Sequence, residues 1–361
     1  MHNFDDYKLA IESITGGKNT VLFDDVGMPS VMVAIPKMFS NTIIDGANAT
    51  VHPAFVVDNV EKAKVYLSKY INIISGDRAY SLPLKDPRCY VTFQQSLDAC
   101  RKKGAGWGLT PFALWSAIAL WCKKNGTMPH GNNNWGKDID YPHENAIAMT
   151  YESASSSSHP GEPNRTATGS GPASWYHDHT MAGIADLNGN VWEWNAGMRL
   201  AEGEIQVIPY GNCMKPTCNM NTDSTEWKAI KADGSLVDGG TTGTLKYDYV
   251  SSKPTICTTI TNKVGTEENG TGGGNTFESI VAASGITIPQ LIKELALAPA
   301  DASGYEGDYF YLNNTAAERV PLRGGGWDNE RNAGVFNCNL RYARSNSNSS
   351  IGFRSAYYEG L

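Results

Sequence analysis

The stretch "GNVWEW", residues Gly189–Trp194, restricts the fold of this chain more than any other. Trp192 and Trp194 flank Glu193, so an extended strand here sends two indoles to one face and a carboxylate to the other. A carboxylate placed among large apolar groups needs a cation or hydrogen-bond donors, because an unpaired buried charge is costly. Arg354, in the late block "IGFRSAY", is a candidate for that cation, held by carbonyls or by Glu193 itself. A second glycine-aromatic block, "RGGGW", covers Arg323–Trp327. Its three glycines let backbone segments approach where a side chain would clash. These blocks lie more than a hundred residues apart, so the fold has to bring distant segments together.

Composition narrows the function classes. The 361 residues carry a net charge of −7, with 41% hydrophobic and 19% charged residues, which are values of a globular chain. An acidic chain with no basic stripe argues against nucleic-acid binding. The start, "MHNFDDYKLA", lacks the basic and apolar regions of a secretory signal, and the most apolar run, "ALWSAIALW", is too short to span a bilayer. We therefore expect synthesis in the cytoplasm and no membrane insertion. The seven cysteines are irregularly spaced, and Cys213 and Cys218 lack a second Cys/His pair at zinc spacing, so they read as thiols or at most a local disulfide. "HDH" at His177–His179 lacks a third ligand and reads as an exposed polar loop; no metal or cofactor is expected.

Periodicity supplies the elements. The first fifty residues read as a small appendage, mainly β, with strand candidates on either side of Gly27 and Pro29. "VTFQQSLDACRKKG" reads as a helix with a Thr92/Gln95 capping box, and Phe93, Leu97 and Cys100 on one face. "TPFALWSAIALWCKKNG" is a second helix, with Thr110 as cap, Pro111 at the first helical position and Gly126 as stop. Its expected buried stripe is Leu114, Ile118, Trp121 and Cys122. Residues 153–172 have the composition of an exposed loop, and 200–319 read as an insertion with one helical piece near "TIPQLIKELALA".

Together, "GNVWEW", "RGGGW" and "GFR" resemble the C-type-lectin-like domain of the formylglycine-generating-enzyme superfamily, with "LTPFALW" as a degraded form of its helical signature. The resemblance covers roughly 54–357 and implies an α+β fold. Two short helices, short antiparallel strands and long loops would form one domain over 51–361, interrupted by the 200–319 insertion. The oxidases of that superfamily use a cysteine pair shortly after their R-G-G-S block. Here that stretch is "RGGGWDNERNAG", with no cysteine before Cys338.

What stands there instead resembles the variable region of diversity-generating retroelement proteins, in which Asn codons are rewritten at their adenines. "WDNERN" and "NCNLRYARSNSNSS" are rich in Asn and in the residues one or two adenine changes from it, and "NLRYAR" reads as an "NLNNAR" template changed at Arg341 and Tyr342. Glu330 cannot arise from such a codon and reads as a fixed residue. The resemblance implies a non-enzymatic ligand- or receptor-binding protein with a variable region over 323–357. Its partner would be a protein or glycan ligand on a cell surface, and the protein itself would be virion-associated or surface-displayed.

The expected variable surface is Asp328, Asn329, Arg331, Asn332, Asn337, Asn339, Arg341, Tyr342, Ser345, Asn346, Ser347 and Asn348. Alternation in "VFNCNLRY" places Phe336, Cys338 and Leu340 inward and Asn337, Asn339 and Arg341 outward. Two other readings stay open on the sequence. One is a divergent oxidase of the formylglycine-generating type. The other is a calcium-dependent sugar lectin with Asn188, Asn190 and Glu193 as ligands, a carboxylate-poor set for that ion.

Overall fold

A computed structural model describes residues 3–361. The protein is an α+β fold dominated by sheets, with few helices. Both expected helices are present. Over Phe93–Arg101, Thr92 Oγ1 accepts from the Gln95 amide at 3.2 Å and Gln95 Oε1 accepts from the Thr92 amide at 2.9 Å, so the capping box is complete. The helix Phe112–Asn125 ends on Gly126 in the left-handed conformation, φ 66°. Its start differs from expectation: Pro111 is the N-cap residue, and Thr110 Oγ1 donates instead to the Arg354 carbonyl at 2.7 Å. The hydroxyl ties the helix to the C-terminal block rather than capping it. A further helix, Asn3–Ile14, precedes the expected strands.

The N-terminal hairpin, Asn19–Phe23 with Pro29–Pro36, is not an appendage. Pro29–Pro36 pairs with Lys64–Ser68, which pairs with the C-terminal strand Ser355–Tyr357, and that in turn with Trp107–Leu109. All five strands are antiparallel and form one sheet. Met32 and Val33 are buried in it, so these residues contribute core rather than hang from it.

A six-stranded sheet carries the blocks that stood out in the sequence. Its order is Gly273–Thr276, Tyr309–Leu312, Gly334–Leu340, Leu322–Gly324, Trp192–Trp194 and Ile351–Phe353. Two of its pairings are parallel, Tyr309–Leu312 with Gly334–Leu340 and Trp192–Trp194 with Ile351–Phe353, where short antiparallel strands were expected. Long connections bring these strands back in the same direction, which a hairpin cannot do. Residues 200–319 build most of a third sheet around Glu204–Val207 and Lys246–Cys257, yet they also send Gly273–Thr276 and Tyr309–Leu312 into the six-stranded sheet. The sequence does not show this sharing, because a strand's partner is not encoded in its own alternation.

One ion pair joins these layers. Arg354 is fully buried and forks onto Glu193, Nε to Oε2 and Nη2 to Oε1, each at 2.6 Å. Its remaining hydrogens go to the carbonyls of Ser68, Lys69, Ala185 and Asp186. The pair thus links the C-terminal block, the Trp192–Trp194 strand, the five-stranded sheet and the loop before "GNVWEW". Trp194 is also fully buried, donates Nε1–H to the Val91 carbonyl at 3.0 Å and meets Phe93 edge to face. Gly325, at φ 86°, has room for no side chain: a Cβ there would lie 2.6 Å from that of Ala333.

Removing one partner of a buried pair leaves the other charge without compensation, a loss of about 3–5 kcal/mol, whereas replacing both by apolar residues costs less. We predict that Arg354→Leu loses stability of that order in urea denaturation. The double change Glu193→Leu with Arg354→Leu recovers part of it; a double variant as weak as the sum of the two single ones would show that the charges do not act as a pair.

Candidate ligand-binding face

The strand Gly334–Leu340 is the centre of the candidate site, and the register fixes which side chains share its faces. Phe310 lies beside Cys338, Cys338 beside Arg323, and Arg323 beside Glu193; this is the core face. Tyr311 lies beside Asn339, Asn339 beside Leu322, and Leu322 beside Trp194; this is the opposite face. Phe93 covers the second face at its Trp194 end. At its tyrosine end the same face is only half covered, and there it carries Tyr309 and Tyr311 with ring centroids 4.5 Å apart. Trp192 meets Tyr311 edge to face at 5.9 Å, and the Arg341 guanidinium lies over the Tyr311 ring at 4.7 Å. Such a stack combines a rigid apolar area with a fixed cation, the chemistry typical of interface anchors. Burial pushes the Tyr311 hydroxyl up to about 12 and lowers the Arg341 guanidinium, whose basicity the neighbouring tyrosines partly restore.

The twelve predicted positions fall into three groups. Asp328, Arg331, Asn332, Ser345 and Ser347 are exposed. Asn329, Arg341, Tyr342, Asn346 and Asn348 are half-buried and largely engaged in the fold. Asn329 Oδ1 accepts from the Gly326 amide at 2.7 Å, and Asn348 Oδ1 accepts from the Ser350 amide and hydroxyl, each at 2.9 Å. Arg341 donates through Nε to the Gly273 carbonyl at 3.0 Å, which fixes its side chain across the inserted strand.

Asn337 and Asn339 correct the expectation that alternation sends them to solvent: Asn337 is fully buried and Asn339 is 5% exposed. The whole strand is buried because strands flank it on both sides and the preceding loop closes over it, with Asn337 Nδ2 donating to the Asn332 carbonyl. Asn339 Oδ1 accepts from the Arg341 amide at 3.1 Å. Alternation distinguishes two faces of a strand but does not reveal whether another segment covers the outer one.

The exposed groups precede and follow this strand in the chain, Asp328, Arg331 and Asn332 before its Gly334 end and Ser345 and Ser347 after its Leu340 end. At the near end a short helical turn, Glu330–Asn332, carries Arg331, which reaches Asp140 Oδ1 through Nε at 2.9 Å. At the far end the segment after Leu340 is tied down by its backbone. The Phe93 amide donates to the Arg344 carbonyl, the Tyr90 amide to the Asn348 carbonyl, and Arg344 forks onto Glu318 at 2.6 and 2.7 Å. Serine side chains are thus displayed from a fixed main chain.

Sequence reasoning missed Tyr309, Tyr311 and the carbonyl of Gly273, which come from the inserted segment. The signal was present: in "YFYL" two tyrosines alternate with Phe310 and Leu312, the period of a half-buried strand.

The residues of the calcium reading do not converge on one point. Both Glu193 oxygens face Arg354, Asn190 Oδ1 accepts from the Thr166 amide at 2.9 Å, and Asn188 Nδ2 donates to the Pro129 carbonyl at 2.9 Å. His177 accepts the Ile184 amide on Nδ1 at 2.8 Å and His179 pairs with the Met128 carbonyl at 3.0 Å, so "HDH" shapes a half-buried turn rather than an exposed loop. Cys213 and Cys218 are free buried thiols. Cys338 is fully buried on the core face, and burial raises its thiol above the ordinary range despite the nearby Arg323.

No protein-family model and no curated protein sequence matches the chain. Among solved structures, the chain is similar to a Major Tropism Determinant U1 variant, with 11% identity over 91% of this chain and a TM-score of 0.32; it spans 62% of that chain. Treponema denticola variable protein 1 gives 12% identity, 94% of this chain, 98% of the other and a TM-score of 0.34. PvdO from Pseudomonas aeruginosa gives 14%, 94%, 97% and 0.35.

The burial pattern makes the asparagines unequal. Asn337→Asp, a single adenine change in an Asn codon, puts an unpaired carboxylate in a closed position, and we predict a loss of about 3 kcal/mol or more at pH 7. The aspartyl pKa would be raised by burial, so the loss shrinks as pH falls through the folded value towards about 3.9, the unfolded one. Ser345→Asp and Ser347→Asp should change stability by no more than about 0.5 kcal/mol. Urea denaturation at pH 7 and pH 4 checks this; equal tolerance at Asn337 and Ser347 would contradict the burial assignment.

Proposed function

We propose that the protein is a ligand-binding protein that acts by contact rather than catalysis, with its ligand face in the variable segment 323–357. On this reading, residues 51–361 form a C-type-lectin-like domain of the formylglycine-generating-enzyme type, in which 200–319 is an insertion that also supplies part of the ligand face. The N-terminal hairpin is built into this domain. The observation that carries the reading is the division within one short segment. "RGGGW" and Ile351–Ala356 are buried, while Asp328, Arg331, Asn332, Ser345 and Ser347 are exposed and Tyr309, Tyr311 and Arg341 stand half-buried.

Fixed aromatic groups beside adaptable polar ones are the composition of a recognition surface. Diversification of the exposed positions by adenine-directed mutagenesis follows from the Asn-derived pattern of the sequence. The partner is a protein or glycan on a cell surface, and the protein would act from a virion or from a displayed position.

The test uses the labelled protein on a panel of intact bacterial cells and immobilised glycans. A triple change of Asp328, Arg331 and Asn332 to alanine should leave the thermal melt unchanged and weaken binding to whatever target the panel returns by tenfold or more, about 1.4 kcal/mol. A variant that binds undiminished would remove the ligand face from these residues. In the gene's surroundings, a near-identical repeat should differ from this segment at template adenines; differences spread over all four bases would end the retroelement reading.

A further inference from the structure

A cavity of about 410 Å³ lies where three parts of the chain meet. The helix start and the segment after "GNVWEW" give Pro111, Phe112 and Ala196. Residues 200–319 give Val207, Leu236 and Leu291. Thr50–Pro53 form a third side, with Thr50 exposed and Val51 half-buried at the edge. No residue of 323–357 lines it, so it is separate from the variable face. Its size is within the range of small-molecule sites, and its walls are largely aliphatic and aromatic.

One charged group breaks this lining. Glu294 lines the cavity and is 5% exposed. Its Oε1 accepts from Ser40 Oγ at 2.5 Å and from Gln290 Nε2 at 2.7 Å. Both neighbours serve the same oxygen, and Oε2 has no hydrogen-bond partner among the described residues. No lysine or arginine forms an ion pair with Glu294 among those residues either. His52, fully buried behind it, accepts the Ala54 amide on Nδ1 at 3.2 Å and therefore presents Nε2–H to the Glu294 carbonyl at 2.9 Å; it is neutral there and supplies no cation. A carboxylate held in place by two donors on one oxygen keeps its second oxygen open at the cavity, where it can take a further donor.

We propose that this cavity is a binding site for a small apolar molecule bearing a primary ammonium group, with the ammonium on Glu294 Oε2 and the hydrocarbon against Phe112, Val207, Leu236 and Leu291. An ammonium provides the missing donors and the charge, and the walls exclude water from the rest of the ligand. Since the cavity is closed jointly by the N-terminal segment, the helix and residues 200–319, an occupant also stabilises their contact.

The experiment compares heptylamine with 1-heptanol, which share a hydrocarbon chain and differ in the charged head, by calorimetry and thermal shift on the full-length protein. Heptylamine should bind saturably, one per chain, and at least tenfold tighter than heptanol. Glu294→Gln keeps an acceptor for Ser40 and Gln290, so it should bring the amine down to the alcohol's affinity while leaving the alcohol unchanged. Val51→Trp, at the half-buried edge, should weaken both. The proposal is overturned if the wild-type protein shows no saturable amine binding. It is equally overturned if Glu294→Gln keeps the amine preference, or if Val51→Trp leaves both affinities intact.

Discussion

The structure depends on the fork between Arg354 and Glu193. A charge pair with both members buried is a poor source of net stability, since desolvation offsets most of the attraction. Its value here is positional. Arg354 has six acceptors drawn from three separate segments, and none of them can move far without leaving a buried hydrogen unmade. The guanidinium therefore sets where the C-terminal block stands relative to the Trp192–Trp194 strand, and with it the course of the chain between Trp327 and Ile351.

That fixed course explains how a segment so rich in Asn and Ser can be ordered. Its main chain is held in large part by amides and carbonyls of other segments, such as Tyr90 to Asn348, Phe93 to Arg344 and Trp192 to Ser350. Backbone bonds do not depend on residue type, so side chains at the exposed positions can change without releasing the loop. The same logic sets the limit: where a side chain itself closes the structure, as at Asn337 and Asn348, identity matters.

Much of this was legible in the sequence. The Glu193 and Arg354 pairing, the capping box at Thr92 and the glycine approach at Gly325 follow from local chemistry, and each is found. What was not legible depends on distant strands. The outward direction of Asn337 was a correct reading of strand period, but no local signal says that a loop closes over that face. Likewise Tyr309 and Tyr311 sit in what reads as an insertion, and only the parallel pairing with Gly334–Leu340 brings them beside that strand. The N-terminal hairpin was legible as two strands and not as part of a sheet completed some three hundred residues later.

The division of 323–357 into a buried frame and a replaceable surface is the central claim. A saturation library over those residues, displayed on cells and sorted for resistance to protease, measures it position by position. Asp328, Arg331, Asn332, Ser345 and Ser347 should accept nearly every residue. Arg323–Trp327, Ala333–Leu340 and Ile351–Ala356 should accept few, with Asn337 and Asn339 grouped with the frame despite their polarity. Uniform tolerance along the segment, or intolerance concentrated at the five exposed positions, would contradict the account.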